Sequence, residues 1–575
     1  MNDRTMKNKV TAPLLAATKG NDPRRGTHAG SPRGVLGNSS KRHQAQFVLV
    51  RVISWIVASI KHCSSNRNLQ TCITAVFCFL LALSGGFNLN SSARNIDAQS
   101  APGNQPPSRT QESPSVTERI KRVENGLLQP FVIKGQPSVQ MKLADRMKFY
   151  NTPGISIAVI DKGRIQWARG YGVRETAGSE AVTPETLFQA ASISKPVAAV
   201  AALRLVQQGK LDIDEDVNRK LTSWKLPENE FTKEKKVTLR ELLGHSAGLT
   251  VHGFAGYASD TTVPTLLQVL DGVNPANSKA IRVDIAPGTK YRYAGGGYVV
   301  LQQLLMDVTG KQFPLFMRAT VLKRIGMARS TYEQPLTKER WSQAAIGHRS
   351  NGEKVNGNWH TYPEMAAAGL WTTPEDLARF AIEIQRSLAG KSNRVLSQKM
   401  ARQMLTAQVG GWGLGFGLPG KGPSARFNHG GANEGYRCLL VAYKSTGQGA
   451  VVMTNSDRGS SLADEVLRSI ATEYGWVDYL AKEKVLAHVD PKIYSSYAGQ
   501  YEIAPNFILT ITAEDGRLMG QATGQPKLEL LPESETQFFP TATAVEITFV
   551  KDEKGQVTHL ILRQGGQDIT AKKVK

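Results

Sequence analysis

Between about residue 116 and residue 480 the chain interleaves two apolar rhythms. Short runs such as ISIAVI (155–160) and AVVMTN (450–455) are strand-like. PVAAVAALRLVQQG (196–209) and PEDLARFAIEIQRSL (374–388) are long enough for helices. The second of these carries its own start signal: Thr373 caps, Pro374 fits the first turn, and Glu375 and Asp376 complement the dipole. Such interleaving predicts an α/β or α+β domain over 116–480. After Asp490 the rhythm shortens to FILTIT (507–512), KLELL (527–531), VEITFV (545–550) and THLILR (558–563). Asp515-Gly516, Glu553-Lys554-Gly555 and Gly565-Gly566 mark tight turns between them. About eight short strands over 491–575 predict a small, closed or half-closed β-barrel.

Upstream the texture is different. CITAVFCFLLAL (72–83) follows Lys61 and Arg67 and precedes Ser84-Gly85-Gly86 and Ser91-Ser92-Ala93. This is the layout of a secretory signal peptide with a cut after Ala93, or of a membrane anchor over residues 72–87. Either way residues 1–93 form a basic N-terminal region, and the chain beyond it is expected to be periplasmic or secreted. A second apolar run, Phe47 to Ile60, is interrupted by Arg51. Residues 94–115, RNIDAQSAPGNQPPSRTQESPS, have the composition of a solvated linker.

Charge and cysteine usage add little to this organisation. The net charge is +23, but residues 1–70 hold 12 Lys and Arg against 2 Asp, so the rest is only mildly basic. No basic run with interleaved aromatics suggests nucleic acid as a partner. Of four Cys only Cys438 lies beyond the N-terminal region, and it reads as a small buried hydrophobe. His252, His348 and His360 lack metal-ligand spacing, and no cofactor motif stands out, so neither a metal nor a cofactor is expected.

The sharpest chemical signal is ASISKPVAAVAAL (191–203). Ser192 and Lys195 stand three apart where a helical pattern begins, so they share a helix face, with the N-terminal N–H groups nearby. A hydroxyl beside an amine at such a place is an activated nucleophile. Further on, PGTKYRYAGGGYVVLQQLL (287–305) puts Tyr293 in a Gly-rich turn running into an amphipathic helix, and FNHGGANEGYRCLLVAY (427–443) puts His429-Gly430-Gly431 at the head of an apolar strand.

This ordered set resembles the serine β-lactamase and penicillin-binding-protein-like family, in its class C and esterase branch. TPETLFQAASISKP (183–196), VTLRELLGHSAGL (237–249) and AAGLWTTPEDLARF (367–380) match in order. The tail from about 492 resembles the lipocalin-like β domain that often follows such hydrolases. The resemblance implies Ser192 as acylated nucleophile, Lys195 as its proton acceptor and Tyr293 as proton relay to the leaving group. It also implies a substrate-positioning role for His429, and an oxyanion hole from the N–H groups of Ser192 and Ala432. Gly430 and Gly431 would let the strand approach the substrate. His429 stands where many relatives have Lys, and Gly295 where those active on β-lactams have Asn. Gly295→Asn is expected to restore that contact if the turn tolerates a side chain. No class A deacylation motif is present, so deacylation falls to Tyr293 or Lys195. His245 reads as a loop-fixing residue, and Trp371 and Trp412 as core, with lining of a substrate cleft as the alternative.

The expectation is an exported serine hydrolase for an ester, an amide or a D-amino-acid, cell-wall-derived peptide. A β-lactamase or D-Ala-D-Ala carboxypeptidase proper is the first alternative. A catalytically idle binding or scaffold protein, holding a ligand in the pocket or the barrel, is the second.

Overall fold

The computed structural model describes residues 115–564 and 567–575. The basic region, the apolar run at 72–87 and all of the linker but Ser115 lie outside the described residues. Helix α1 (Val116–Asn125) opens on a capping box, in which Ser115 accepts from the Glu118 N–H and the Glu118 carboxylate accepts from the Ser115 N–H. A short strand, β1 (Phe131–Ile133), precedes the hairpin of β2 (Gly154–Asp161) and β3 (Arg164–Gly172). A two-residue strand, β4 (Phe188–Gln189), then leads into helix α2 (Ser194–Gln207). Next come helix α3 (Gly295–Thr309), the single turn α4 (Met365–Ala368), β5 (Trp371–Thr372), which pairs with β4, and helix α5 (Pro374–Leu388). Three strands come after it, β6 (Arg426–Asn433), β7 (Tyr436–Tyr443) and β8 (Gly449–Thr454), then helix α6 (Gly459–Glu473) and β9 (Lys482–Lys484).

One antiparallel sheet in the order β3-β2-β8-β7-β6 divides the domain. Its central strands are covered on both sides, which is why β2 and β8 read as unbroken apolar runs. Ile155, Ile157, Val159 and Val452 meet α1 and α6 on one face. Ala158, Ile160, Val451 and Met453 belong to the core built with α2, α3 and α5 on the other. Helix α5 begins as its sequence signals predict, with Thr373 Oγ1 accepting the Asp376 N–H at 3.2 Å. Helix α3 departs from expectation: its residues 295–305 are all buried, so it is a central helix and not an amphipathic one.

The tail forms a single nine-stranded antiparallel sheet that curls into a nearly closed barrel. Its first strand, Gly499–Ala504, sits mid-sheet between Phe507–Glu514 and the last strand, Gln567–Lys573. The KLELL run breaks at Leu530 into Leu528–Glu529 and Leu531–Pro532, which end the sheet on opposite sides. Tyr497, Tyr501, Phe538, Phe549 and Leu560 fill the interior, with the Tyr497 and Phe549 rings stacked at 4.4 Å. A packed interior of this kind is a core, so the notion of a ligand held inside the barrel does not fit it. Strands β1 and β9 pair in parallel at the junction, where Lys484 Nζ lies 2.6 Å from Glu533, 2.8 Å from Glu546 and over the rings of Phe131 and Phe539.

Candidate active site

The ribbon of β4 and β5 delivers the chain into a 3-10 turn, Ala191–Ile193, at the head of α2. Ala191 enters it with φ +49°, a left-handed conformation that costs an alanine energy and persists only when its surroundings hold it. Those surroundings are visible around Ser194, which is fully buried. Its hydroxyl donates to the Ala191 carbonyl at 2.6 Å and accepts the Leu370 N–H at 2.9 Å, while its carbonyl accepts from Tyr332 at 2.7 Å. Ser192 is thereby placed at the helix start, where backbone N–H groups lack intrahelical partners.

Lys195 Nζ lies 2.9 Å from Ser192 Oγ and 2.8 Å from the Ala367 carbonyl oxygen of α4. It also sits 5.0 Å from the centre of the Tyr293 ring. Asp464 also lines the cavity but does not offset the burial of the amine, which lowers its pKa to about 7. Burial moves the Tyr293 phenol the other way, well above its ordinary value, and the neighbouring Ser192 hydroxyl only partly counteracts this. Near neutral pH the pair therefore offers one group able to accept a proton, the amine, and one able to donate it, the phenol.

His245 fixes Tyr293 from beneath. Its Nδ1 accepts the Ala294 N–H at 3.2 Å, its carbonyl accepts the Arg292 N–H at 2.8 Å, and its ring lies 4.2 Å from the Tyr293 ring. Burial, with the Lys195 charge second, holds its pKa well below the usual histidine value. The loop-fixing reading of His245 thus describes what it does, and the loop it fixes is the one that carries Tyr293.

The edge of β6 away from β7 supplies the opposite wall. Asn428 exchanges hydrogen bonds with Gly417 at 3.0 Å each way on that edge. With the two-residue alternation of a strand, the N–H groups of Gly430 and Ala432 also point away from β7. Gly431 has a reason that the sequence did not reveal: a Cβ there would lie 2.2 Å from the Ala190 carbonyl oxygen. It permits close approach to the chain's own nucleophile turn, whereas a Cβ on Gly430 would meet nothing nearer than 3.9 Å. His429 is 4% exposed, and burial, then Lys195, push its pKa down to about 3.

Ser192, Lys195, Tyr293, His429, Gly430, Gly431 and Ala432 line one cavity of about 540 Å3. All seven residues expected from the sequence are brought together. The cavity also takes in Trp412, in keeping with the alternative reading of it as a cleft residue, and His252 and Phe254, which the sequence does not place there. Trp412 is a cavity wall rather than core, with its ring 5.6 Å from His429 and 6.0 Å from Tyr293, whereas Trp371 is fully buried. Phe254 occupies the space beside Gly295: a Cβ on Gly295 would lie 2.9 Å from the Phe254 ring and 3.1 Å from the His252 carbonyl oxygen. An asparagine there has to displace the half-buried Phe254 ring and press on the His252 carbonyl, so the condition attached to Gly295→Asn, a turn that tolerates a side chain, is not met without that movement. His348 lies apart, its Nδ1 3.1 Å from the Asn455 carbonyl and its Nε2 accepting from Thr176 N–H. Among the described residues no group of His, Cys, Asp and Glu stands where it would hold a metal ion.

The profile of the family described as Beta-lactamase matches residues 139–473, and that of a domain of unknown function, DUF3471, matches residues 483–573. Penicillin-binding protein 4* of Bacillus subtilis is 23% identical over 448 residues, covering 74% of this chain and 95% of that protein. Penicillin-binding protein 4 of Amycolatopsis lactamdurans is 24% identical over 373 residues, covering 61% and 94%. Among solved structures, the octameric penicillin-binding protein homologue from Pyrococcus abyssi superposes with a TM-score of 0.52 at 22% identity, covering 75% of this chain and 98% of that one.

Proposed function

Since the chain belongs to the beta-lactamase family, whose profile spans more than half of it, we propose that it is a serine hydrolase that works through an acyl-enzyme on Ser192. The observation that carries this reading is the 2.9 Å contact between Ser192 Oγ and a buried amine whose pKa lies at about 7. In its neutral form Lys195 accepts the Ser192 proton as Oγ attacks an ester or amide carbonyl, and the Ala367 carbonyl keeps the amine in place. The developing oxyanion is received by the N–H groups of Ser192 and Ala432. The proton then passes through Tyr293 to the leaving group, which departs as a neutral alcohol or amine. Water then attacks the acyl-enzyme and loses its proton to Lys195, neutral again, and a proton is returned directly or through Tyr293 to Ser192 Oγ as the acid leaves. The substrates proposed are esters, amides or D-amino-acid peptides.

Export is part of the proposal, and its support is the basic-apolar-small layout of residues 61–93. Among the described residues no helix is long and apolar enough to cross a membrane. Ser192→Ala is expected to abolish hydrolysis of a short-chain nitrophenyl ester and labelling by a fluorophosphonate, with an unchanged circular dichroism spectrum. Retention of either activity in the folded variant would overturn the mechanism, and a wild-type protein that takes no label would leave the scaffold alternative standing.

A further inference from the structure

The two buried histidines of the cavity region hold their protons on opposite nitrogens. His245 Nδ1 receives the Ala294 N–H, so its own proton is on Nε2. His429 Nδ1 lies 2.6 Å from the Gly430 carbonyl oxygen, and a carbonyl can only accept. The His429 proton is therefore on Nδ1, and Nε2 presents a lone pair. That atom is buried and has no hydrogen-bond partner among the described residues, in a side chain that lines the same cavity as Ser192 and Tyr293. With its pKa at about 3, the ring stays neutral wherever Lys195 can act as a base. Trp412 Nε1–H, on the ring 5.6 Å away, is likewise buried and without a partner, and it is a donor. The cavity wall thus holds an acceptor and a donor that nothing among the described residues satisfies, and no fixed cation beyond the lysine consumed by the chemistry.

We infer that His429 meets the substrate as a hydrogen-bond acceptor, so that the substrate group against it carries an N–H or O–H, as a primary carboxamide or a hydroxyl does, and not a carboxylate. This rests on acyl transfer at Ser192 and names the substrate class for that same cavity. A primary carboxamide offers both a donor suited to His429 and an acceptor suited to Trp412. A carboxylate has only lone pairs to set against the lone pair of His429, and it meets no counter-charge there.

Two matched sets of esters test the inference on either side of the scissile bond. In the first, phenylacetyl esters of glycolamide, N,N-dimethylglycolamide and glycolate differ only in the end of the leaving group. In the second, nitrophenyl esters of succinamic acid, N,N-dimethylsuccinamic acid and succinic acid differ only in the end of the acyl group. In one set the primary amide is expected to exceed both the dimethylamide and the carboxylate at least tenfold in kcat/KM. His429→Lys is expected to bring the carboxylate of that set level with the primary amide or above it. Equal rates for primary amide and dimethylamide in both sets overturn the inference. These comparisons need only the wild-type enzyme, so they stand even if His429→Lys does not fold. Fluorophosphonate labelling of wild-type Ser192 is read in parallel: its loss would overturn the acyl-enzyme itself, while labelling with no amide preference overturns only the role of His429.

Discussion

At Lys195 a single atom, Nζ, ties stability to chemistry. Because burial lowers the folded pKa to about 7 from an ordinary 10.5, the unfolded chain binds more protons between those values. The cost of burying the amine is thus full below pH 7 and fades as pH rises toward 10.5, so both stability and the fraction of neutral amine rise on the alkaline side. The kcat/KM for an ester is expected to rise with pH through about 7, with Tyr293 remaining a protonated phenol; a flat profile from pH 5 to 9 would remove Lys195 as base. Residue 295 decides a second outcome. Phe254 stands beside Gly295 where a side-chain amide would be needed, and His429 is uncharged, so a carboxylate-bearing cephalosporin loses a hydrogen bond and a charge contact. Together these are worth about 2.7 kcal/mol, so ester hydrolysis is expected to exceed nitrocefin hydrolysis ~10²-fold in kcat/KM. Comparable values for the two substrates would refute the contact argument.

Among the elements, β6 and the turn before α2 are fitted to each other through one missing methyl group. Gly431→Ala would set a Cβ against the Ala190 carbonyl at 2.2 Å, a clash with backbone that no rotamer relieves. We expect a loss of about 1–3 kcal/mol in stability together with most of the ester activity, because Ala432 N–H moves with the strand. Gly430→Ala, with open space at its Cβ, is expected to keep the wild-type Tm, and thermal melts of the pair check this difference. Much of this level is legible in the sequence. Strands β2 and β8 announce themselves by unbroken apolar runs, α5 by its capping residues, and Ser192 with Lys195 by a spacing that helix geometry turns into contact. Hidden from the sequence is whatever depends on backbone atoms or on loops. The Ala367 carbonyl that holds Lys195, the left-handed φ of Ala191 and the approach of Gly431 to Ala190 involve no distinctive side chain. Phe254 and Trp412 reach the cavity from segments without periodicity, and α3 reads as amphipathic because polar Gln302 and Gln303 are buried. Gly431 faces the nucleophile turn and not the substrate for a reason of the same kind: a glycine in a sequence shows that space is needed, not what fills it.

For the whole molecule, the proposed export predicts a mature chain that begins after the apolar run at 72–83 and is recovered outside the cytoplasm. Cell fractionation with N-terminal sequencing checks it, and recovery of a cytoplasmic chain starting at Met1 overturns it. The catalytic domain and the barrel meet at the β1–β9 pair, where Lys484 bridges Glu533 and Glu546 beside two aromatic rings. The sheet beneath the active site has a further consequence, one of timing. Strand β2 takes a ladder partner from β8 and the cover of one face from α6, so it cannot bury its apolar run at 155–160 on both sides until residues 449–473 have been synthesised. The barrel repeats the arrangement, with the first strand, Gly499–Ala504, waiting for the last, Gln567–Lys573. Neither core can close from its leading end, and long-range pairing of this kind is slow to nucleate. A ribosome-bound fragment that ends before residue 449 would leave the apolar run of β2 without its ladder partner and with one face uncovered.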